Sequence, residues 1–148
     1  MQYRVFGDTY VVRLQRGEEV LACLRELCEK ESISLGTVSA IGAVNHVVVG
    51  VYRVDEQKYV ANTFDGVMEL TSLMGNITEK DGEPYLHLHA TLSDADGGVY
   101  AGHHAFAQLH LRRLPDGGQP RGFRFRLADD HAAQTYGAGQ TLRGLFGR

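Results

Sequence analysis

Four of the chain's seven histidines lie between residues 87 and 104, within the stretch PYLHLHATLSDADGGVYAGHHAF (84–106). Neutral imidazole is a preferred ligand of zinc, and three imidazoles leave a fourth coordination position free for water or another ligand. The spacing therefore raises a metal site as the first functional hypothesis. The competing interpretation is that these histidines are ordinary polar residues on a solvated strand face.

The segment YLHLHATL (85–92) alternates between polar and apolar residues, as a half-buried strand requires. Successive side chains of a strand point to opposite faces, so His87 and His89 project together, with Cα atoms about 6.5 Å apart. The opposite face is predicted to be buried, and it consists of Leu86, Leu88, Ala90 and Leu92.

The residues SDADGG (93–98) predict a turn that reverses the chain into a second strand, VYAGHH (99–104). In one pairing register His103 lies opposite His89, with side chains about 5 Å apart, and the two form a compact triangle with His87. A shift of one residue puts His104 on that face instead. The sequence leaves both registers open.

Carboxylates flank the histidines at Glu83, Asp94 and Asp96. In a metal site they are candidates to orient imidazole N–H groups. An alternative function is a zinc-dependent hydrolase of a small molecule, in which Glu83 or Asp94 acts as the base and zinc-bound water supplies hydroxide. The two cysteines, Cys23 and Cys28, match no zinc-binding spacing and are expected to be reduced and partly buried.

The histidine strands need a sheet and a core to position them. TYVVRL (9–14) is a short strand candidate, and residues 16–33 carry apolar residues at helical spacing with acidic residues in the first turn. That apolar stripe includes Val20, Leu24 and Leu27. From residue 36 the period changes to two, with candidate strands GTVSAIGAV (36–44), NHVVVGVYRV (45–54), QKYVANTF (57–64), VMELTSLMGNIT (67–78), AFAQLHLRRL (105–114) and RGFRFRLAD (121–129).

Short strands joined by tight polar turns favour antiparallel pairing, and a helix on one face covers the core. The expected fold is α+β, a mostly antiparallel β-sheet flanked by one or two helices, in a single domain over residues 1–148. After Asp130 the glycine-rich sequence shows no period, so this tail is expected to be disordered. No signal peptide or membrane-spanning run is recognisable, so we expect a cytoplasmic protein with no membrane partner.

The net charge of −3 combines two unlike parts of the chain. Residues 1–104 hold 8 basic and 15 acidic residues, whereas residues 105–148 hold 7 basic and 3 acidic residues, and all 7 basic ones are arginine. If two terminal strands paired with each other, a basic ribbon would form from Arg112, Arg113, Arg121, Arg124 and Arg126. The acidic net charge of the whole chain nevertheless disfavours nucleic acid as a partner.

Three segments, taken together, are similar in sequence to a known family: SAIGAVNHVVVGVY (39–52), FDGVMELTSLMGNIT (64–78) and KDGEPYLHLHATLSDADGGVYAGH (80–103). They resemble the PPC domain, the plant and prokaryote conserved domain. The likeness spans roughly residues 3–103. It departs from the family at AGHH (101–104), where members usually read G-G-H-L, and the arginine-rich residues 104–148 diverge from it.

The resemblance implies a compact antiparallel sheet with flanking helices that assembles as a homotrimer. It also implies that His87, His89 and His103 match positions at which some prokaryotic members hold a zinc ion. Stand-alone members are often catalogued as DNA-binding by analogy with relatives that carry AT-hooks, yet PRGF (120–123) lacks the second arginine and the final proline of a hook. From the resemblance as a whole we expect a trimeric zinc-binding module with a regulatory or DNA-associated role.

Overall fold

A computed structural model describes residues 1–103, 109–111 and 123–126. These residues form one helix and eight strands, and every strand pairing is antiparallel. The predicted α+β class is therefore confirmed. In chain order the elements are β1 (Gln2–Phe6), β2 (Thr9–Arg13), α1 (Val20–Glu31), β3 (Gly36–Arg53), β4 (Lys58–Lys80), β5 (Glu83–Asp94), β6 (Val99–His103), β7 (Leu109–Leu111) and β8 (Phe123–Arg126).

The strands belong to one sheet in the order β1-β2-β8-β3-β4-β5-β6, with β7 also paired to β3. The last strand of this order, β6, pairs with β5 along its length and also meets β3, where Gly50 lies opposite His103. The strands β3, β4, β5 and β6 therefore curl into a closed ring, because each is bonded to the next and the fourth returns to the first.

The two longest strands, β3 and β4, each replace a pair of shorter strands that the sequence predicted. The predicted break at Asp65 and Gly66 is wrong, because these residues lie inside β4. Between the pairs Val44–Met68 and His46–Asp65, β4 contains one extra residue, and Gly66 has a φ of 119°. An extra residue of this kind is a β-bulge, which bends a strand without ending it.

Helix α1 packs its apolar stripe into the core, as its periodicity predicted: Val20, Leu24 and Leu27 are fully buried. The acidic residues precede the first turn instead of lying within it, because Glu19 is the N-cap and accepts hydrogen bonds from the backbone N–H groups of Leu21 and Ala22. Such a cap satisfies helix donors that lack an intrahelical partner. Within the described residues, no helix is long and apolar enough to cross a membrane.

The core combines the buried residues of α1 with buried residues of β2, β3, β4 and β5. The apolar face of β5 belongs to it, and the residues predicted there are all buried: Leu86, Leu88, Ala90 and Leu92. Burial of this face fixes the orientation of β5, because a one-residue slip would expose every leucine. The polar face of β5, which carries two of the histidines, must therefore point away from the core.

Within the two predicted terminal strands, the described residues form β7 and β8. In these described segments β7 pairs with β3, whereas β8 pairs with both β2 and β3. The described residues of the two strands therefore do not form the hairpin on which the hypothesis of a basic ribbon depended. The predicted tail after Asp130 lies outside the described residues, as do Arg112, Arg113 and Arg121.

Candidate metal centre

The turn between β5 and β6 sets the register on which the site depends. The carboxylate of Asp94 accepts hydrogen bonds from the backbone N–H groups of Asp96 and Gly98, at 3.0 and 2.7 Å, and from the Tyr100 hydroxyl at 2.8 Å. This turn brings β6 back with His103 directly opposite His89. The structure therefore has the first of the two registers that the sequence allowed.

The three predicted histidines come together on the outer face of this hairpin. The Nε2 atoms of His87 and His89 lie 3.3 Å apart, and the ring of His103 lies 4.5 Å from that of His87 and 5.2 Å from that of His89, centroid to centroid. One ligand nitrogen from each residue lies within 4.8 Å of the others. The backbone thus brings three imidazoles into one cluster.

The separation of two of these nitrogens is compatible with a shared zinc ion. Two nitrogen ligands of a tetrahedral zinc ion, each about 2.0–2.1 Å from the metal, lie about 3.3 Å from each other. The Nε2 atoms of His87 and His89 are 3.3 Å apart, a distance that a hydrogen bond between the rings also allows. The widest pair of ligand atoms exceeds that separation by at most about 1.5 Å.

The surroundings of His87 favour the neutral imidazole, which is the form that binds a metal ion. Its side chain is half buried, and its Nδ1 atom is buried with no hydrogen-bond partner in the part of the chain that the structure describes. Burial, and next the proximity of His89, lower the pKa of His87 below its usual value. Metal ions bind neutral imidazole, so the site favours the ligand form of this residue at neutral pH.

A glycine on β4 permits the close approach of the histidine strand. Gly75 lies opposite Leu88, between the pairs Met74–His89 and Asn76–His87. A Cβ atom at Gly75 would lie 1.9 Å from the carbonyl oxygen of His87 and 2.8 Å from the Cα of Leu88. Both contacts are with backbone, which has little freedom to move, so the position requires glycine.

The carboxylates that flank the histidines do not serve the cluster as the sequence suggested. Asp94 is committed to its own turn, and the hydrogen bond from Tyr100, followed by that from Gly98, lowers its pKa. Glu83 lines a separate cavity of about 530 Å³ between the end of α1 and the β4–β5 turn. Asp96 is exposed and contributes its backbone N–H to the Asp94 turn.

One residue beside the cluster was missed by sequence reasoning. The hydroxyl of Tyr59 donates a 2.6 Å hydrogen bond to the backbone carbonyl of His103, and the two rings meet edge to face at 6.2 Å. The two residues are 44 positions apart and lie on strands that are not consecutive. No local spacing signals such a contact.

The sequence model of the Plants and Prokaryotes Conserved (PCC) domain, also written PPC, matches residues 1–111 of this chain. The chain belongs to this family. The match contains the whole histidine hairpin and ends where β7 ends. None of the curated proteins matches the chain.

Several solved structures share the fold. A "putative DNA-binding protein" from Bacteroides thetaiotaomicron is 25% identical, with a TM-score of 0.75 over 85% of this chain and 82% of its own. A metal-containing protein from Archaeoglobus fulgidus is 31% identical, with a TM-score of 0.69 over 85% and 81%. A PPC protein from Pyrococcus horikoshii is 29% identical, with a TM-score of 0.71 over 86% and 83%.

Proposed function

We propose that this PPC-family protein is a metal-binding module whose ligands are His87, His89 and His103, and that its metal is zinc. The observation that carries the proposal is the set of three imidazole nitrogens within 4.8 Å of one another. The relative from Archaeoglobus fulgidus is a metal-containing protein, which supports metal binding by this chain.

The choice of zinc follows from the ligand chemistry. Three neutral imidazoles without a thiolate suit zinc and other borderline divalent metals better than magnesium or calcium, which take oxygen ligands. Both cysteines are buried in the helix, where burial raises each thiol pKa to about 11, so neither supplies a thiolate. A three-histidine set also leaves one position open to a ligand.

A binding or regulatory role is favoured over hydrolysis. A zinc ion held by three histidines lowers the pKa of a bound water toward about 7, which is the chemistry that a hydrolase would use. A hydrolase also needs a base within hydrogen-bond reach of the reacting group. The two bases suggested by the sequence do not meet that need, because Asp94 is bonded within its turn and Glu83 faces the cavity beside α1.

We further propose that the protein assembles as a homotrimer in the manner that its family implies. Large apolar side chains that remain exposed on the single chain support assembly, because symmetric association covers such surface. These include Val51, Tyr52, Val54, Val67 and Val99, all at least half exposed.

DNA is not part of the proposal. The chain carries a net charge of −3, and residues 1–104 are strongly acidic, whereas nucleic-acid binding needs a basic surface that releases counterions from phosphates. A gel-shift titration at low salt should therefore show no complex that weakens as salt rises. A complex with that salt dependence would restore DNA as a partner.

The metal content of protein purified without a histidine tag tests the proposed site. We expect about one zinc per chain after saturation and removal of excess metal, and a large loss of zinc in each of the variants His87→Ala, His89→Ala and His103→Ala. The matched control is His46→Ala. The ring of His46 lies outside the cluster and contacts Asp65 at 2.5 Å, so its removal should leave the zinc content unchanged. Full occupancy in any of the three variants would exclude that residue as an essential ligand.

A further inference from the structure

A hydrogen bond beside the histidine cluster holds the backbone of β6 at His103 and uses no ring nitrogen of the cluster. His103 is the last residue of β6, and its backbone carbonyl accepts the 2.6 Å hydrogen bond from the Tyr59 hydroxyl. His103 is also the one residue of the cluster that does not lie on β5. Its distance from the other two rings therefore depends on how the backbone of β6 is held beside β5.

Space for the Tyr59 ring is provided by a glycine on the neighbouring strand. Gly50 lies opposite His103 in the β3–β6 pairing. A Cβ atom at Gly50 would lie 2.7 Å from Cζ and 2.8 Å from the hydroxyl oxygen of Tyr59, and 2.2 Å from the carbonyl oxygen of Val60. The tyrosine ring thus occupies the volume that any larger residue at Gly50 would fill, and in this position its hydroxyl reaches β6.

A second glycine lets the backbone of β6 lie directly on that of β3. A Cβ atom at Gly102 would lie 2.8 Å from the carbonyl oxygen and 2.9 Å from the nitrogen of Gly50. The two glycines bring the strands together immediately before His103. The hydrogen bond from Tyr59 then fixes the carbonyl of the next residue, His103.

The Tyr59 hydroxyl is suited to act as a permanent donor. A phenol keeps its proton throughout the neutral range, so it is available as a donor to the carbonyl of His103. A phenol that donates to a backbone carbonyl from a partly buried position gains more from the bond than an exposed one does, because water competes less for either group.

We propose that Tyr59 is a positioning residue of the metal centre, which fixes His103 at the correct distance from His87 and His89 through the backbone of β6. This inference rests on the proposed metal-binding function. Tyr59 touches no metal ligand atom in this role. It holds one ligand residue in place, as the partners that orient metal-binding side chains do in other sites.

The variant Tyr59→Phe tests this role because it removes the hydroxyl and keeps the ring over Gly50. The matched control is Tyr52→Phe, since Tyr52 lies directly opposite Tyr59 on β3 and its side chain is exposed. Zinc affinity is measured by competition with a chelator, and the geometry of the site is read from the visible absorption of the cobalt-substituted proteins. Circular dichroism checks that both variants fold.

We expect Tyr59→Phe to bind zinc about tenfold more weakly than the wild type and to change the cobalt absorption, whereas Tyr52→Phe changes neither. Equal zinc affinity of Tyr59→Phe and wild type would overturn the inference and leave the proposed function intact. A weaker affinity with an unaltered cobalt spectrum would also overturn it, since general loosening of the fold would explain that result. Failure of the wild type itself to bind metal would instead overturn the proposed function.

Discussion

His87 shows how its surroundings select the state in which a residue can bind metal. Its ring lies against two other imidazoles, and its buried Nδ1 atom has no hydrogen-bond partner among the described residues. Both burial and a neighbouring imidazole disfavour the protonated form. The metal-free protein therefore keeps in a neutral state a side chain that would be partly protonated in an unfolded chain near its usual pKa.

The lowered pKa of His87 predicts how the stability of the metal-free protein depends on pH. Between that pKa and the unperturbed value of 6.5, the unfolded chain binds more protons than the folded chain. The free energy of unfolding should thus fall as pH drops below 6.5, and His87 should contribute no pH dependence above it. Urea titrations of the wild type and of His87→Asn from about pH 5 to pH 8 measure the difference in free energy of unfolding between the two proteins. If this difference is the same at every pH in that range, the prediction is contradicted.

The individual site residues were predictable to different degrees. Alternation along YLHLHATL was sufficient to place His87 and His89 on one face, because a strand has a fixed period. His103 required the pairing register, and that register depends on the hydrogen bonds of Asp94 within its turn. Tyr59 was not predictable, because its contact with His103 exists only after four strands have closed into a ring.

At the scale of elements, the histidine hairpin depends on small residues in the strands beside it. Gly75 of β4 pairs with the part of β5 that lies between His87 and His89. Gly102 of β6 packs against Gly50 of β3. Each contact brings backbone against backbone at a distance that excludes a side chain. Close packing against the backbone of β5 therefore explains why the segment LMGNIT (73–78), part of the family resemblance, has glycine at position 75.

Gly75→Ala should therefore destabilise the protein, because the added methyl group would overlap the backbone of His87 and Leu88. We expect a loss of about 1–3 kcal/mol in the free energy of unfolding, measured by urea titration. The adjacent variant Met74→Ala is the control, since Met74 is exposed and its removal should change stability by about 0.5 kcal/mol or less. Equal stability of Gly75→Ala and wild type would show that the two strands are farther apart than described.

The elements themselves were predicted unevenly from the sequence. The helix followed from its periodicity, since Val20, Leu24 and Leu27 have no other way to share one face. The continuous strands β3 and β4 did not, because Asp65-Gly66 has the composition of a turn and only tertiary pairing makes it a bulge. The strand β1, which begins at Gln2, was not predicted, because it lies mostly exposed at the edge of the sheet and its alternation covers only four residues.

Across the described part of the molecule, the apolar face of β5 is buried in the core with α1, and the opposite face carries His87 and His89. Several large apolar residues elsewhere stay exposed, among them Val54 in the β3–β4 turn, which is 75% exposed. A single chain with this much apolar surface is expected to associate. Composition alone could not predict the number of subunits, and the family resemblance is what points to three.

The proposed trimer predicts a definite mass in solution. Light scattering coupled to gel filtration should give about three times the 16.3 kDa of one chain, and the value should persist on dilution if the interface is large and apolar. The variant Val51→Glu, which puts a charge at an exposed apolar position, should shift the mass toward that of one chain if Val51 lies in the interface. A monomeric wild type would contradict the proposal.

In the proposed metal centre, three imidazoles from β5 and β6 bind one metal ion. X-ray absorption at the zinc edge of the tag-free, zinc-loaded protein counts those imidazoles directly. We expect scattering from three imidazole rings at about 2.0–2.1 Å with a light-atom fourth ligand and no sulfur. Fewer than three imidazoles, a sulfur ligand, or a protein that retains no zinc would contradict it.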